Sequence, residues 1–558
     1  MERGQRRVLA IAWPLVTSHW GHVLRIVALA WAASLMAMLI PFLSMVLIDA
    51  GALAGNMKVL AGSCIAMLLV PLLGLAFESW NRFGYLELSS HVLFRLREQV
   101  FAHLQSLSQN YYSRVGFGDL AARFDGDLAE VQRFVVDAPL ALVGGVFNLL
   151  LLAALMFWLH PLLAAVVLAT LPFQVAATWM RRRGMEAAIR AVREQATALS
   201  AFFLDSLRAV KLIQSTNTEA ARLAGLRAHH DQYQAALRES HQAGFMIGAL
   251  QRLSGTFAVA LVIAAGGWLL MNGQTSVGVL VAFVAYAARA SGPVNTLIGI
   301  YSGWQRARVS LARVGELLDA PTQRPTAAAG CLLPEGSRGA VEFRAVCYRH
   351  QSGADVLQDA SFSIAAGSKI VLLGPSGGGK STLADLLRGH FAPQSGVILI
   401  DGVDIASVEL ASLRRCVAVV DQEPVFLAGT VADNLRHVRP DASDAQLLLA
   451  LSQAGLAVAL DRSIGASSAA LSRGERMRLA LARAILLEPG ILILDETTSA
   501  VDAELALSIM QSVDLIFAGR TRIVITHDRR LAGPDADAVC LLRGGRVIRV
   551  PQEMAHAG

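Results

Sequence analysis

The sequence predicts a multi-domain protein: an all-α membrane domain of six spanning helices, followed by an α/β domain. Three observations predict it. Hydrophobic residues make up 54% of the 558 and charged residues 16%, against about 25% charged in an average soluble protein. Long apolar runs fill the chain as far as about Arg306. Beyond Val341, short β-like runs alternate with helical ones. A mean hydropathy of +0.49 is too high for a wholly soluble chain, and the charge is too high for a wholly membrane one.

Six spans are expected, at roughly 24–48, 59–80, 139–159, 161–180, 245–271 and 277–303. Each is long enough to cross a ~30 Å hydrocarbon core at 1.5 Å per residue. The first exceeds a signal-peptide apolar region, and no clear small-residue cleavage site follows it. Pro41, Pro71, Pro172 and Pro293 lie inside spans, where neighbouring helices can satisfy the freed backbone groups.

The loops set the orientation. Arg3, Arg6 and Arg7 precede span one, Arg95, Arg97, Arg114, Arg123 and Arg133 lie between spans two and three, and Arg181, Arg182, Arg183, Arg190 and Arg193 follow span four. Lys58 is the only basic residue of the opposite loops, 49–58, around His160, and 272–276. Both termini are therefore expected in the cytoplasm, on an inner (plasma) membrane. The net charge of +6 is accounted for by these loops, and no basic segment is interleaved with exposed aromatics, so nucleic acid is not an expected partner. The segments 81–138 and 181–244 read as helical extensions of the spans. The five cysteines, Cys64, Cys331, Cys347, Cys416 and Cys540, contain no C-x-x-C and indicate neither a zinc cluster nor a disulfide framework.

The membrane domain is expected to end at 319, a linker rich in Pro and Ala to cover 320–340, and the α/β domain to occupy 341–558. Val371-Leu372-Leu373, Ile491–Leu494 and Ile523–Thr526 read as buried strands. After the first stands Gly374-Pro375-Ser376-Gly377-Gly378-Gly379-Lys380-Ser381, a full P-loop pattern, with Thr382 opening the following helical run. Its glycines turn backbone N–H groups toward phosphate oxygens, Lys380 is placed to reach the β- and γ-phosphates of ATP, and Ser381 to hold Mg²⁺. The second strand ends in Asp495 and Glu496, whose side chains point differently. Asp495 is the candidate to orient Mg²⁺ through water, and Glu496 the candidate general base.

With these motifs in this order, the chain resembles the ATP-binding cassette (ABC) transporters, specifically exporter-type half-transporters with fused transmembrane and nucleotide-binding domains. The resemblance covers nearly the whole chain. It implies that Gln422 is the glutamine that touches Mg²⁺ and that His527 is the switch histidine. It also implies that Leu471-Ser472-Arg473-Gly474-Glu475 is the signature, with Ser472 and Gly474 meeting the partner's ATP. Asp502 falls in the loop after the catalytic glutamate. The family spacing points to His350 as the ring that stacks on adenine, and Tyr348 lies two residues earlier. The segment from Tyr111-Tyr112 to Asp127 is similar to the first coupling loop. Arg473 and Glu475 depart from the family's glycine and glutamine, and Ile464–Ser468 lacks a glutamate that the family often has there.

The resemblance further implies a dimer of half-transporters in the lipid bilayer, two cassettes closing head to tail on two ATP molecules, and helix bends near 118–127 and 207–217 that dock on the cassettes. A homodimer is favoured and a heterodimer stays open. The expected activity is ATP-driven export of a peptide, lipid or amphipathic small molecule by alternating access. An importer of the same architecture, and an ATP-gated channel or regulatory membrane ATPase, are the alternatives. Arg289, Asn295, Gln174, Asn148 and Arg252 are the polar residues within spans and hence the substrate candidates. Glu78 is a candidate partner for Arg289. No leader-peptidase activity is expected of this chain.

Overall fold

The structure, a computed structural model, describes residues 3–323, 331–334, 336–350, 353, 355–375, 377–465, 471–497, 503–527 and 535–551. It divides into two compact units, Met1–His103 with Phe117–Asp319, and Leu104–Gly116 with Ala320–Gly558.

The first unit is helical. After α1 (Arg3–Thr17) come α2 (Trp20–Val46), α3 (Met57–Ser106), then α4 (Gln109–Arg114), which with the last residues of α3 belongs to the second unit, and α5 (Phe117–Ala122) and α6 (Leu128–Leu159). The remaining helices are α7 (Pro161–Arg208), α8 (Val210–Thr216), α9 (Glu219–Met271) and α10 (Val277–Leu318). Each expected span lies within one long helix, except that the first runs from α2 into a π-helical segment, Leu47–Leu53. Five stretches of the described residues, Trp20–Leu53, Met57–Ser106, Phe117–Leu159, Glu219–Met271 and Val277–Leu318, are long and apolar enough to cross a membrane. The fourth span, in α7, is apolar over Pro161–Pro172, and several side chains between 173 and 183 of the same helix lie outside the described set.

The expected bends are present. A π-helical turn, Arg123–Asp127, separates α5 from α6, and α8 is set off by Ala209 and by Asn217, the latter in the left-handed region at φ 51°. The helices bury one face and leave Leu, Ile and Phe side chains outward, as Leu68, Leu72 and Phe257 do. In hydrocarbon that outward face is the favourable one. The buried core of this unit gathers Leu152 and Met156 of α6, Leu163 of α7, Val262 of α9, and Phe283 and Tyr286 of α10.

The sequence reading did not anticipate α1. Its Gln5, Val8 and Ala12 are buried at helical spacing. Arg7 donates to the Leu318 carbonyl at 2.8 Å and to Asp319 at 3.1 Å. Backbone meets backbone at Gly4 and Gly315: a Cβ added at Gly315 would stand 2.7 Å from the Gly4 carbonyl carbon.

The second unit carries two main sheets. The strands are β1 (Val341–Arg349), β2 (Asp355–Ile364), β3 (Lys369–Leu373), β4 (Ser395–Ile400), β5 (Val403–Asp404) and β6 (Val417–Val420). They continue with β7 (Gly429–Thr430), β8 (Ser463–Ile464), β9 (Ile491–Asp495), β10 (Thr521–Thr526), β11 (Ala538–Arg543) and β12 (Arg546–Val550). A six-stranded sheet runs β12-β11-β3-β10-β9-β6, parallel except for β12, and an antiparallel sheet runs β2-β1-β4-β5. The helices are α11 (Lys380–Leu387), α12 (Leu410–Cys416), α13 (Val431–Arg436), α14 (Asp444–Gln453), α15 (Arg473–Leu487) and α16 (Ala503–Ile516). Strands β3 and β9 are buried at every residue, as a parallel sheet covered on both faces requires. Their carboxyl ends lie along one edge of the sheet, where open α/β sheets bind ligands.

Candidate ATP site and membrane hollow

Strand β3 delivers the P-loop. Gly377 and Gly379 take left-handed backbone at φ 74° and 98°, and a Cβ at Gly379 would stand 2.4 Å from Val356 Cγ1. Any other residue type would be strained in that turn. Lys380 is buried, and its Nζ donates to the Gly374 and Pro375 carbonyls at 2.9 and 3.0 Å. The ammonium thus braces the loop from inside and lies 3.7 Å from Glu496 Oε1. Ser376 lies outside the described residues.

Strand β9 delivers the carboxylates. Burial pushes the Asp495 carboxyl above its ordinary value; a hydrogen bond from Ser381 opposes this, and the Glu496 and Asp421 carboxylates add to it. Glu496, one residue beyond the strand, has φ 46°. Its N–H donates to the Ile525 carbonyl at 2.9 Å, and Gln422 Nε2 donates to its Oε2 at 3.0 Å. A non-glycine residue held in the left-handed region is strained by about 1–3 kcal/mol. Here the turn swings the carboxylate off the strand axis toward Gln422. His527 follows β10, with Nδ1 3.9 Å from Glu496 Oε1 and a half-exposed ring. Parallel register of β10 on β9, Ile525 opposite Asp495, puts the two side by side. The structure therefore brings Gly374, Pro375, Gly377, Gly378, Gly379, Lys380, Ser381, Asp495, Glu496, Gln422 and His527 to one sheet edge.

The aromatic question resolves into two environments. Tyr348 is buried and stacked on Phe391, ring centroids 5.4 Å apart. His350 is only partly buried, edge-on to both rings, with Nε2 3.2 Å from Thr382 Oγ1 and Nδ1 3.3 Å from the Tyr348 hydroxyl. His350 is thus the ring beside the P-loop helix, and Tyr348 and Phe391 are its backing. Phe391 carried no sequence signal.

Ser472 caps α15. Its Oγ accepts from the Glu475 N–H at 3.2 Å, and Glu475 Oε2 accepts from the Ser472 N–H at 2.7 Å. This reciprocal pair leaves the Ser472 hydroxyl proton free to donate outward. Arg462, unmarked in the sequence reading, pairs with Glu475 at 2.8 Å. Gly474 has open space where a Cβ would stand. Asp502 lies outside the described residues.

In the membrane unit, Arg289 and Asn148 line one hollow of about 630 Å³. Arg289 Nη1 donates to the Ala37 carbonyl at 3.0 Å, so its partner is this carbonyl and not Glu78. Asn295 is absent from that hollow's lining and accepts from Gln251 at 3.2 Å, an amide pair between α9 and α10. Arg252 is an exposed residue of α9, and the Gln174 side chain lies outside the described set.

Comparison with known proteins agrees with this geometry. Residues 23–294 match the family described as ABC transporter transmembrane region, and residues 357–499 the family described as ABC transporter. The ATP-dependent lipid A-core flippase of Bordetella avium (strain 197N) is 30% identical over 550 residues, 96% of this chain and 91% of that protein. The toxin RTX-I translocation ATP-binding protein of Actinobacillus pleuropneumoniae is 29% identical over 541 residues, 92% of this chain and 73% of that one. A solved bacterial Atm1-family ABC exporter with ATP bound superposes with a TM-score of 0.79 at 25% identity, covering 94% of this chain and 93% of its own. A fused membrane region and cassette, a P-loop and its carboxylates on one sheet edge, and relatives matched along nearly the whole length lead to one assignment: this chain belongs to the ABC transporter family, as an exporter-type half-transporter that binds ATP and couples its hydrolysis to transport across a lipid bilayer.

Proposed function

We propose that two copies of this chain form a homodimeric exporter. It moves a peptide, a lipid or an amphipathic small molecule outward across the inner membrane by alternating access, with cassettes and termini in the cytoplasm. The observation that carries this reading is the setting of Glu496, a strained carboxylate bonded by Gln422 and flanked by Lys380 and His527. A channel gated by ATP binding alone has no use for such a base.

In this reading Glu496 takes a proton from the attacking water, Gln422 orients that carboxylate, and His527 bonds the terminal phosphate region. Lys380 exchanges its loop carbonyls for phosphate oxygens. One buried carboxylate bonded to one hydroxyl, Asp495 with Ser381, suits a cation whose other ligands are phosphate oxygens and water. These two, with Gln422, would hold Mg²⁺, which neutralises charge on the phosphates. His350 stacks on adenine. Ser472 and Gly474 serve the partner's nucleotide, and their intact cap supports two equal sites. The cargoes named for the relatives, a lipid A-core and an RTX toxin, keep lipid and polypeptide among the classes.

The test is flux in inside-out vesicles holding the purified chain, with a panel of labelled lipids, peptides and amphipathic dyes. ATP-dependent uptake, lost in Glu496→Gln, is expected. Release of preloaded solute would mark an importer, and dissipative flux insensitive to Glu496→Gln a channel.

A further inference from the structure

The hollow in the membrane unit lies between α2, α6 and α10 and measures about 630 Å³, within the range of roughly 300–1,000 Å³ that small-molecule sites occupy. Small residues carve it: Ala33 and Ala37 on α2, Gly144 and Gly145 on α6, Ala288 and Gly292 on α10. Four polar side chains stand among them: Arg289 and Asn148, and Ser34 and Thr296, whose hydroxyls donate to the Ala30 and Gly292 carbonyls of their own helices.

Proline chemistry explains why the cation is held there. Pro41 has no N–H, so the carbonyl of Ala37, four residues earlier on α2, loses its helical donor. Arg289 supplies one. A guanidinium carries five N–H donors, and a single backbone acceptor does not neutralise it. Among the described residues no carboxylate pairs with Arg289, and Asn148 has no hydrogen-bond partner. A charge inside a span that is half satisfied and facing a cavity asks for an anion.

The apolar side of the site is equally specific. A second cavity of about 190 Å³ shares Gly144 with the hollow and is walled mainly by Ile26, Val27, Trp31 and Leu140; Asn81 and Tyr85 also line it, with their donors committed to the Ile26 carbonyl and to Asp137. It offers a slot for a narrow hydrocarbon chain next to the charged hollow.

We infer that this hollow binds an anionic amphiphile, with a carboxylate or phosphate head on Arg289 and Asn148 and a slim apolar tail along the Gly144 side. The planar guanidinium fork matches either head bidentately while keeping its Ala37 bond as an anchor. The inference deepens the export reading and rests on it for the claim that the bound molecule is cargo.

The test uses the full-length protein in nanodiscs of phosphatidylcholine. Binding is measured for four probes of one chain length: palmitate, palmitoyl lysophosphatidic acid, palmitate methyl ester and hexadecyltrimethylammonium. At least one anion is expected to bind tenfold or more tighter than the neutral and cationic probes. Palmitate alone marks a free carboxylate, and the lysophosphatidate alone a phospholipid head. Arg289→Lys should keep part of the preference, and Arg289→Glu should reverse it. Equal binding of all four probes by the wild type overturns the inference, whatever the variants do. So does an unchanged preference in an Arg289→Glu protein that is monodisperse and melts cooperatively. Inside-out vesicles separate the two readings. ATP-driven uptake of any cargo without charge-ranked binding sinks the anion site and leaves export standing. Charge-ranked binding without ATP-driven flux does the reverse.

Discussion

The Arg462 guanidinium lies 2.8 Å from Glu475 Oε1, while Oε2 of the same carboxylate accepts the Ser472 N–H at 2.7 Å. One side chain thus closes the helix cap and an ion pair together. The Ser472 N–H, then Arg462, hold the Glu475 carboxyl below its ordinary value of 4.5. A lowered folded-state value contributes stability above the unfolded-state value and loses it as pH falls through the folded one. Glu475→Gln, which keeps an acceptor for the cap and loses the ion pair, should therefore melt below wild type at pH 7. The gap should close as the pH is lowered past 4.5. The pair is solvent-facing, so the difference should stay within about 1 kcal/mol. Thermal melts of the full chain in detergent across this range check it.

Glu496→Gln should retain ATP binding and slow hydrolysis by at least about 100-fold, the scale of a positioned base. Lys380→Ala should instead weaken nucleotide binding, because it removes both the phosphate contact and the brace on Gly374 and Pro375. Equilibrium binding beside steady-state turnover distinguishes the two.

Head-to-tail closure of the proposed homodimer makes a prediction about mixtures. Ser472→Ala and Lys380→Ala each disable both sites of a homodimer. A mixed dimer carries one site with wild-type P-loop and wild-type signature, and one with both defects. Co-expressed and purified through two tags, it should recover ATPase activity well above either parent. No recovery would mean that a chain does not share its sites.

Gly379→Ala should cost more than a surface glycine change. The new methyl must sit at φ 98° and 2.4 Å from Val356 Cγ1. Expected are a loss of about 1–3 kcal/mol in stability and a P-loop that no longer closes on phosphate. Thermal melts with and without ATP measure both.

Much of this architecture was legible from periodicity and punctuation. Apolar runs of span length, a glycine-rich turn after a buried strand, and two carboxylates after another left few alternatives. What escaped depends on contacts distant in sequence. Tyr348 and His350, two apart on an extended run, share a face, so their own alternation does not separate them and the preference for His350 came from the family resemblance; Phe391, far along the chain, packs against Tyr348. Arg462 lies 13 residues before its partner Glu475. Helix α1 hid behind its arginines and Pro14, although Gln5, Val8 and Ala12 were already spaced as a buried stripe. Pro41 marked the Ala37 carbonyl as an acceptor without a helical donor, but nothing linear joins Ala37 to position 289.

The meeting of Gly4 and Gly315 has a practical side. With no side chain between them, the amino-terminal helix cannot slide along α10 without the two main chains colliding, and Arg7 clips its next turn to the end of the same helix. The pair behaves as a splinted rod. A spin label or fluorophore attached at Arg6, whose side chain is exposed and which is not among the residues that line the hollow, would therefore report the tilt of α10 during turnover.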